Sequence, residues 1–216
     1  MSAIKRWHLA LLLVALAVAI SYLALDRPVA LFVHGLFASR RHTLFEPLTH
    51  IPDPLMPAAA IAFVGLGLYA LAGRALSRLQ TTIVICGLSL TMAQVIKNQL
   101  KFVFGRTWPE TWVENNPSFI HDHVYGFNWF HGGAGYESFP SGHMTMTCAL
   151  ISVLWICYPR FKPIYALAVL AVAVGLIGAD FHFLSDVIAG CFVGASTGWM
   201  AVTLLGRLAD EPRSRG

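Results

Sequence analysis

Charge is what this chain has little of. Lysine, arginine, aspartate and glutamate together make up 12% of its 216 residues, about half the share of an ordinary soluble domain. That shortage argues against a water-facing surface on all sides. Cysteine is sparse as well. Cys86, Cys148, Cys157 and Cys191 each fall inside an apolar run and show no metal-ligand spacing, so they read as small buried hydrophobes rather than a disulfide framework or zinc site. Internal repeats and low-complexity segments are absent too, which leaves one domain over residues 1–216.

What the chain has in excess is apolar residues, 56% of the total. A helix crossing a hydrocarbon core of about 30 Å needs about 20 of them in succession. Six runs approach that length: Leu9–Leu25, Met56–Ala72, Leu79–Ile96, Ser141–Tyr158, Pro163–Ala179 and Val187–Leu205. The expected fold is therefore all-α, a polytopic membrane helical bundle of about six transmembrane helices. The first run is longer than the usual apolar core of a secretory signal and is expected to stay as a helix.

The formal charge of +4 has meaning only through its distribution. If the runs alternate across the membrane, Lys5, Arg6, Arg74, Arg78, Arg160, Lys162, Arg207, Arg213 and Arg215 fall on one side. Arg27, Arg40, Arg41, Lys97, Lys101 and Arg106 share the other side with nine of the eleven acids. This is the positive-inside pattern. It places both termini in the cytoplasm of a cell whose inner membrane holds the chain, and it gives no reason to invoke nucleic acid.

Two segments between the runs stand out. Residues 27–50 mix Phe and Leu with Arg and His at helical spacing, as an interfacial helix does. Lys97 to Phe139 is a polar outer insertion, too long for a simple connection and suited to a functional element or lid. Its Trp108, Trp112, Phe127, Trp129 and Phe130 suit headgroup level. His121, His123, His131 and Glu137 lack a recognised ligand spacing, so the insertion reads as a polar loop with no metal.

Three polar clusters share the outer face: Lys97–Pro109, Phe139–His143 and Asp180–Asp186. Ionisable groups at a membrane boundary are costly to hold and point to function. His182 and Asp186 stand four residues apart, hence on one helix face. The carboxylate can accept from one imidazole nitrogen and leave the other basic and outward, which is how a nucleophilic or general-base histidine is prepared. In Pro140-Ser141-Gly142-His143, Ser141 can open a helix, Gly142 permits close backbone approach, and a helix start is an anion site. His143 adds a proton donor there.

Pro-Ser-Gly-His followed by His-x-x-x-Asp in the next outer loop resembles the type 2 phosphatidic acid phosphatase family, which shares its site with vanadium haloperoxidases. The resemblance covers roughly residues 79–200. It implies that His182 attacks phosphorus to form a phosphohistidine, that Asp186 orients it, and that His143 protonates the leaving oxygen. Lys101, Ser141 and Gly142 are implied to hold the phosphoryl oxygens, with no metal and no cofactor. Such a protein is expected to hydrolyse a lipid phosphate or lipid diphosphate on the outer face. Its partners are that substrate and the surrounding membrane lipids.

The sequence departs from the family at two places. Trp108-Pro109 stands where the family has Arg-Pro, and Gly175-Leu176 where it has Ser-Arg. Arg106, two residues before the first of these, is the expected substitute for phosphate binding. A lipid phosphotransferase with a second lipid as acceptor, and a catalytically weak phospholipid-binding member, are the alternative expectations. Cysteine labels in the Lys97–Phe139 insertion should react from outside the cell membrane, while labels beside Arg160 should not; same-side labelling of both would overturn the topology.

Overall fold

The structure is a computed structural model that describes residues 2–37, 39–112 and 115–210. Helix α1, Ala3–Ile20, opens with Ser2 accepting from the Lys5 amide. It widens into a π turn at Ser21–Leu25 and continues as α2, Asp26–Phe37. The wider turn comes just before Pro28, whose ring offers no N–H to the preceding turn, so the helix adjusts its hydrogen bonding there and goes on. The rest of the chain forms α3 (Arg41–Thr49), α4 (Leu55–Leu71), α5 (Arg78–Phe104), α6 (Phe119–Asp122), α7 (Gly142–Cys157), α8 (Lys162–Gly178) and α9 (Leu184–Asp210). Among the described residues extended pairing is limited to isolated bridges of Arg106 with Phe127 and Glu137 and of Trp108 with Ser118.

The expected all-α membrane bundle is what forms. Ile4–Phe37, Arg78–Phe104, Pro159–Gly178 and Leu184–Leu205 are long and apolar enough to cross a membrane, and Leu55–Leu71 and Gly142–Cys157 are shorter apolar helices beside them. Large apolar side chains such as Leu12, Leu23, Ile61, Leu71 and Leu167 point outward, where lipid is the solvent.

Two expected boundaries shift. Residues 27–50 are not one interfacial helix: the first part extends α1 through α2, and α3 packs on α8, where Gly175 and Gly178 admit Leu48 and Phe45. Helix α5 runs to Phe104, so Lys97 and Lys101 stand on its last turns and the long loop starts at Gly105. Gly105 is left-handed, with φ of 50°, and a Cβ there would lie 1.9 Å from the Asn128 carbonyl oxygen. This turn ends α5 and sends Arg106 inward.

The centre of the bundle is the contact between α7 and α9. Gly190, Gly194 and Gly198 recur every four residues on α9 and face Ser141, Thr145 and Ser152 of α7. Between lipid-embedded helices burial from water contributes little, so close backbone approach through small residues supplies the packing. Helix α5 joins this pair through Ser89, which donates to the Ala149 carbonyl at 2.9 Å. Helix α1 is tied to α9 by Trp7, whose indole donates to Ser196 at 3.1 Å. Because a Cβ at 194 would lie 2.1 Å from the Thr145 carbonyl oxygen, Gly194→Val should destabilise the detergent-solubilised protein by at least about 1–3 kcal/mol, read as a lowered thermal unfolding midpoint. An unchanged midpoint would show that the helices are not packed this closely.

Candidate active site

The sequence clusters converge at one end of the bundle because α5 ends, α7 begins and α9 begins there. Lys97 and Lys101 of α5, Gly142 and His143 of α7, and His182 just before α9 line one cavity of about 280 Å³, with Trp108 forming part of its wall. A Cβ on Gly142 would come within 3.9 Å of Lys101 Nζ and of the Lys97 side chain, so the first turn of α7 faces both ammonium groups. Helix amides and two cations around one hollow make a place for an anion.

His182 is 5% exposed and its Nδ1 faces inward, 3.5 Å from Asp186 Oδ2 and 3.5 Å from Ser138 Oγ. Burial pushes this imidazole below the usual histidine range, against the pull of Asp186, so the ring is neutral near pH 7. With Nδ1 turned to Asp186, Nε2 is the nitrogen left for chemistry. The Trp108 ring lies 5.1 Å from the His182 ring and donates its N–H to the Ala134 carbonyl at 2.8 Å. Trp108 is thus a wall of the pocket and not a headgroup anchor. Trp112 is likewise turned inward, donating to the Asp180 carbonyl at 3.2 Å, whereas Trp129 and Phe130 are exposed.

Asp186 is fully buried and saturated with donors. Its Oδ2 accepts from Ser138 Oγ at 2.7 Å and from the Phe183 amide at 3.0 Å. Its Oδ1 accepts from Arg106 Nη1 at 2.5 Å. Arg106 is itself fully buried and lies outside the cavity lining. Its Nη2 donates to Asp26 Oδ2 at 2.7 Å and to the Tyr125 hydroxyl at 3.2 Å. Tyr22, Tyr125, Phe127 and Phe183 place their rings 4.4 to 5.3 Å from the guanidinium carbon. Burial opposes the charge, but Asp186 and Asp26 together hold the guanidinium above its ordinary value. The terminal nitrogens expected to bind phosphate are therefore occupied by two carboxylates.

Ser141 is buried and also outside the lining. Its Oγ accepts from the Met144 amide at 3.4 Å and its amide donates to the Asp186 carbonyl at 3.1 Å. It starts α7 and fastens that start to α9.

Four participants were not picked out from sequence. Asp26 accepts from the Ser185 amide at 2.9 Å and from its hydroxyl at 2.5 Å. Its one sequence signal is an acid at the end of an apolar run. Ser138 and Tyr125 gave no signal outside their loop. Asp53 brings Oδ1 to 3.6 Å from His143 Nε2, and its Oδ2 lies 2.6 Å from His50 Nδ1. That contact raises the His50 pKa. Away from the cavity, His34, Glu110 and Asp180 gather ligand atoms within 4.8 Å of one another. The cation at that place is Arg41, 2.8 Å from Glu110 and 3.2 Å from Asp180.

Residues 82–209 match the PAP2 superfamily, and that span is more than half of the chain. The chain belongs to the PAP2 superfamily. A lipid A 1-phosphatase of Rhizobium etli is 30% identical to it over 91% of this chain and 83% of its own length. One from Rhizobium johnstonii is 28% identical over 88% of this chain and 77% of its own. The solved structure of a PAP2-type phosphatidylglycerolphosphate phosphatase from Bacillus subtilis shares the fold, with a TM-score of 0.55 at 18% identity and 98% of each chain covered.

As a PAP2 superfamily member the chain lacks both motif arginines, and the two replacements differ in kind. Trp108 faces the cavity, but Leu176 is buried among Met144, Cys148, Val172 and Val187. Its carbonyl accepts from the Phe181 and His182 amides at 3.0 and 3.2 Å, so this position now supports the turn that carries His182. Asp26→Asn should lower the thermal unfolding midpoint in detergent, by an amount approaching the roughly 3 kcal/mol cost of breaking a buried pair. Arg106→Lys should cost more, because one ammonium cannot span both carboxylates. Stability indifferent to both changes would mean that the network carries no structural weight.

Proposed function

We propose that this PAP2 superfamily chain is an integral membrane phosphatase that hydrolyses a lipid phosphate or diphosphate through a phosphohistidine on His182, in a pocket on the outer face of the membrane. The observation that carries the reading is one cavity with a neutral, carboxylate-oriented imidazole on one wall and two lysines, a helix start and a second histidine around it. The similarity to lipid A 1-phosphatases over nine-tenths of the chain makes a sugar-linked lipid phosphate the first substrate to test.

Nε2 of His182 attacks phosphorus in line, forming an N–P bond as the P–O bond to the lipid breaks. His143 gives its proton to the departing oxygen. Water then enters, His143 takes a proton from it, the N–P bond breaks, and phosphate leaves. Asp186 keeps Nδ1–H pointed inward and stabilises positive charge on the ring. Lys97, Lys101 and the first turn of α7 hold the equatorial oxygens, the kind of fixed donors that lower such a barrier. Arg106 acts one layer behind, as the counter-ion that keeps Asp186 ionised, and Ser141 as the helix cap. Both assignments depart from the phosphate-binding roles expected from sequence. Asp53 sits where a carboxylate can steady the protonated form of His143.

A second reading, lipid binding with little turnover, is favoured by Trp108 and Leu176, since two lysines do not reproduce the bidentate grip of arginine. Phosphate release from the purified protein across lipid A 1-phosphate, phosphatidate, phosphatidylglycerophosphate and undecaprenyl diphosphate separates the two. Under the phosphatase reading at least one substrate turns over and His182→Ala abolishes it. His143→Ala should hurt least with the diphosphate, whose leaving group is already acidic. Because the His182 pKa is depressed, the acid limb of kcat/KM due to its protonation should fall below the ordinary histidine value of 6.5. Release unchanged in His182→Ala would end the phosphohistidine mechanism.

A further inference from the structure

A reaction that uses His143 as its acid needs a protonated imidazole in an unfavourable place. Lys97, Lys101 and His182 line the same cavity, and each of them, when charged, disfavours a further positive charge. Glu137 Oε2 lies 3.9 Å from Lys101 Nζ and answers the lysine side of the cavity. Among the described residues, Asp53 is the acid in ion-pair reach of His143, its Oδ1 standing 3.6 Å from Nε2.

Asp53 is held where it stands. It belongs to the turn His50-Ile51-Pro52-Asp53-Pro54 between α3 and α4, where prolines on both sides restrict its backbone. Its amide donates to the His50 carbonyl at 3.1 Å. Its Oδ2 lies 2.6 Å from His50 Nδ1, which leaves Oδ1 turned to His143. Helix α3 is itself seated on α8, with Phe45 and Leu48 against Gly178 and Gly175, and Met56, three residues after Asp53, lines the cavity. All of this lies before residues 82–209, the span that matches the family. A segment outside the common core thus brings a carboxylate to the acid of that core.

The other charges facing the pair stand on α3. Glu46 Oε1 is 3.8 Å from His50 Nε2, and Glu46 Oε2 is 3.0 Å from His42 Nδ1. A protonated His50 takes part of the Asp53 charge. As His50 loses its proton, the whole carboxylate is left to His143, so the support grows with rising pH, where an imidazolium would otherwise be lost.

We infer that Asp53 is a positioning residue for the general acid: its carboxylate faces Nε2–H of His143 and keeps the imidazole protonated, leaving Nδ1–H to pass to the departing oxygen. Asp53 gains and loses no proton in that step. The inference rests on the lipid phosphatase reading for the acid role of His143, and one arm of its test needs no turnover.

The full chain, carrying carbon-13 at histidine Cε1, is titrated by NMR in detergent micelles, with the His143 signal identified by its loss in His143→Gln. In Asp53→Asn the His143 midpoint should fall by roughly half a pH unit or more, a modest shift because the two side chains are 41% and 43% exposed. Asp53→Glu should recover part of it. A midpoint that stays in place would overturn the inference. In kinetics, Asp53→Asn should lower kcat for a lipid phosphate, whose alkoxide needs a proton to leave, by about tenfold relative to p-nitrophenyl phosphate, whose phenolate does not. KM should change little, and the alkaline limb of kcat/KM should move to lower pH. Equal losses with the two substrates, or a loss confined to KM, would show that Asp53 only shapes the rim and would remove the role. A lowered His143 midpoint in a protein that releases no phosphate from any substrate would uphold the Asp53 contact and remove the phosphatase reading. Turnover with an unmoved midpoint would do the reverse.

Discussion

A guanidinium with no access to solvent, held between two carboxylates from distant parts of the chain, is the constraint on which the site depends. Arg106 enters from the loop after α5, Asp26 from the N-terminal helix and Asp186 from the last helix. Desolvating such a group costs several kcal/mol unless nearly every donor is satisfied. Here both terminal nitrogens are engaged, and four aromatic rings surround the carbon. The arrangement leaves two carboxylates against one guanidinium, and hydrogen bonds from Ser138, Ser185, Tyr125 and the Phe183 amide spread the remaining charge. Only when loop and helices are all in place is the charge tolerable. The same network that joins the first and last helices therefore also fixes the carboxylate behind His182.

This position explains how a chain without the two motif arginines can keep a preorganised site. The Arg106 guanidinium is engaged by the carboxylate that faces His182 and does not line the cavity. The cations that do line it are Lys97 and Lys101, which are point charges on flexible stems without the geometry of a fork. Trp108 lines the cavity beside His182, and Lys101 Nζ lies 5.6 Å from its ring, within cation–π reach.

The bundle beneath the site follows from membrane packing. Lipid makes burial of apolar side chains nearly neutral, so α7 and α9 are held by backbone approach at three glycines and α5 by a serine reaching a carbonyl. Rigid contact there fixes the geometry of the candidate site, because α7 carries His143 and α9 carries Asp186.

Much of this was legible from the chain alone. Apolar runs separated by basic residues dictate a helical membrane protein, since only helices or closed barrels satisfy the backbone in lipid. The spacing of His182 and Asp186 and the Pro140–His143 turn mark the candidate site because helical periodicity is local. Pairings across long separations were not legible. Asp26 is 80 residues from Arg106, and nothing local distinguishes a cation that meets phosphate from one that meets a buried carboxylate. Arg106, Trp108 and Ser141 could each be placed near the site by sequence, but which way they face depends on how Gly105 turns the loop and how closely α7 meets α9. Those are decisions of packing, and only the tertiary structure makes them.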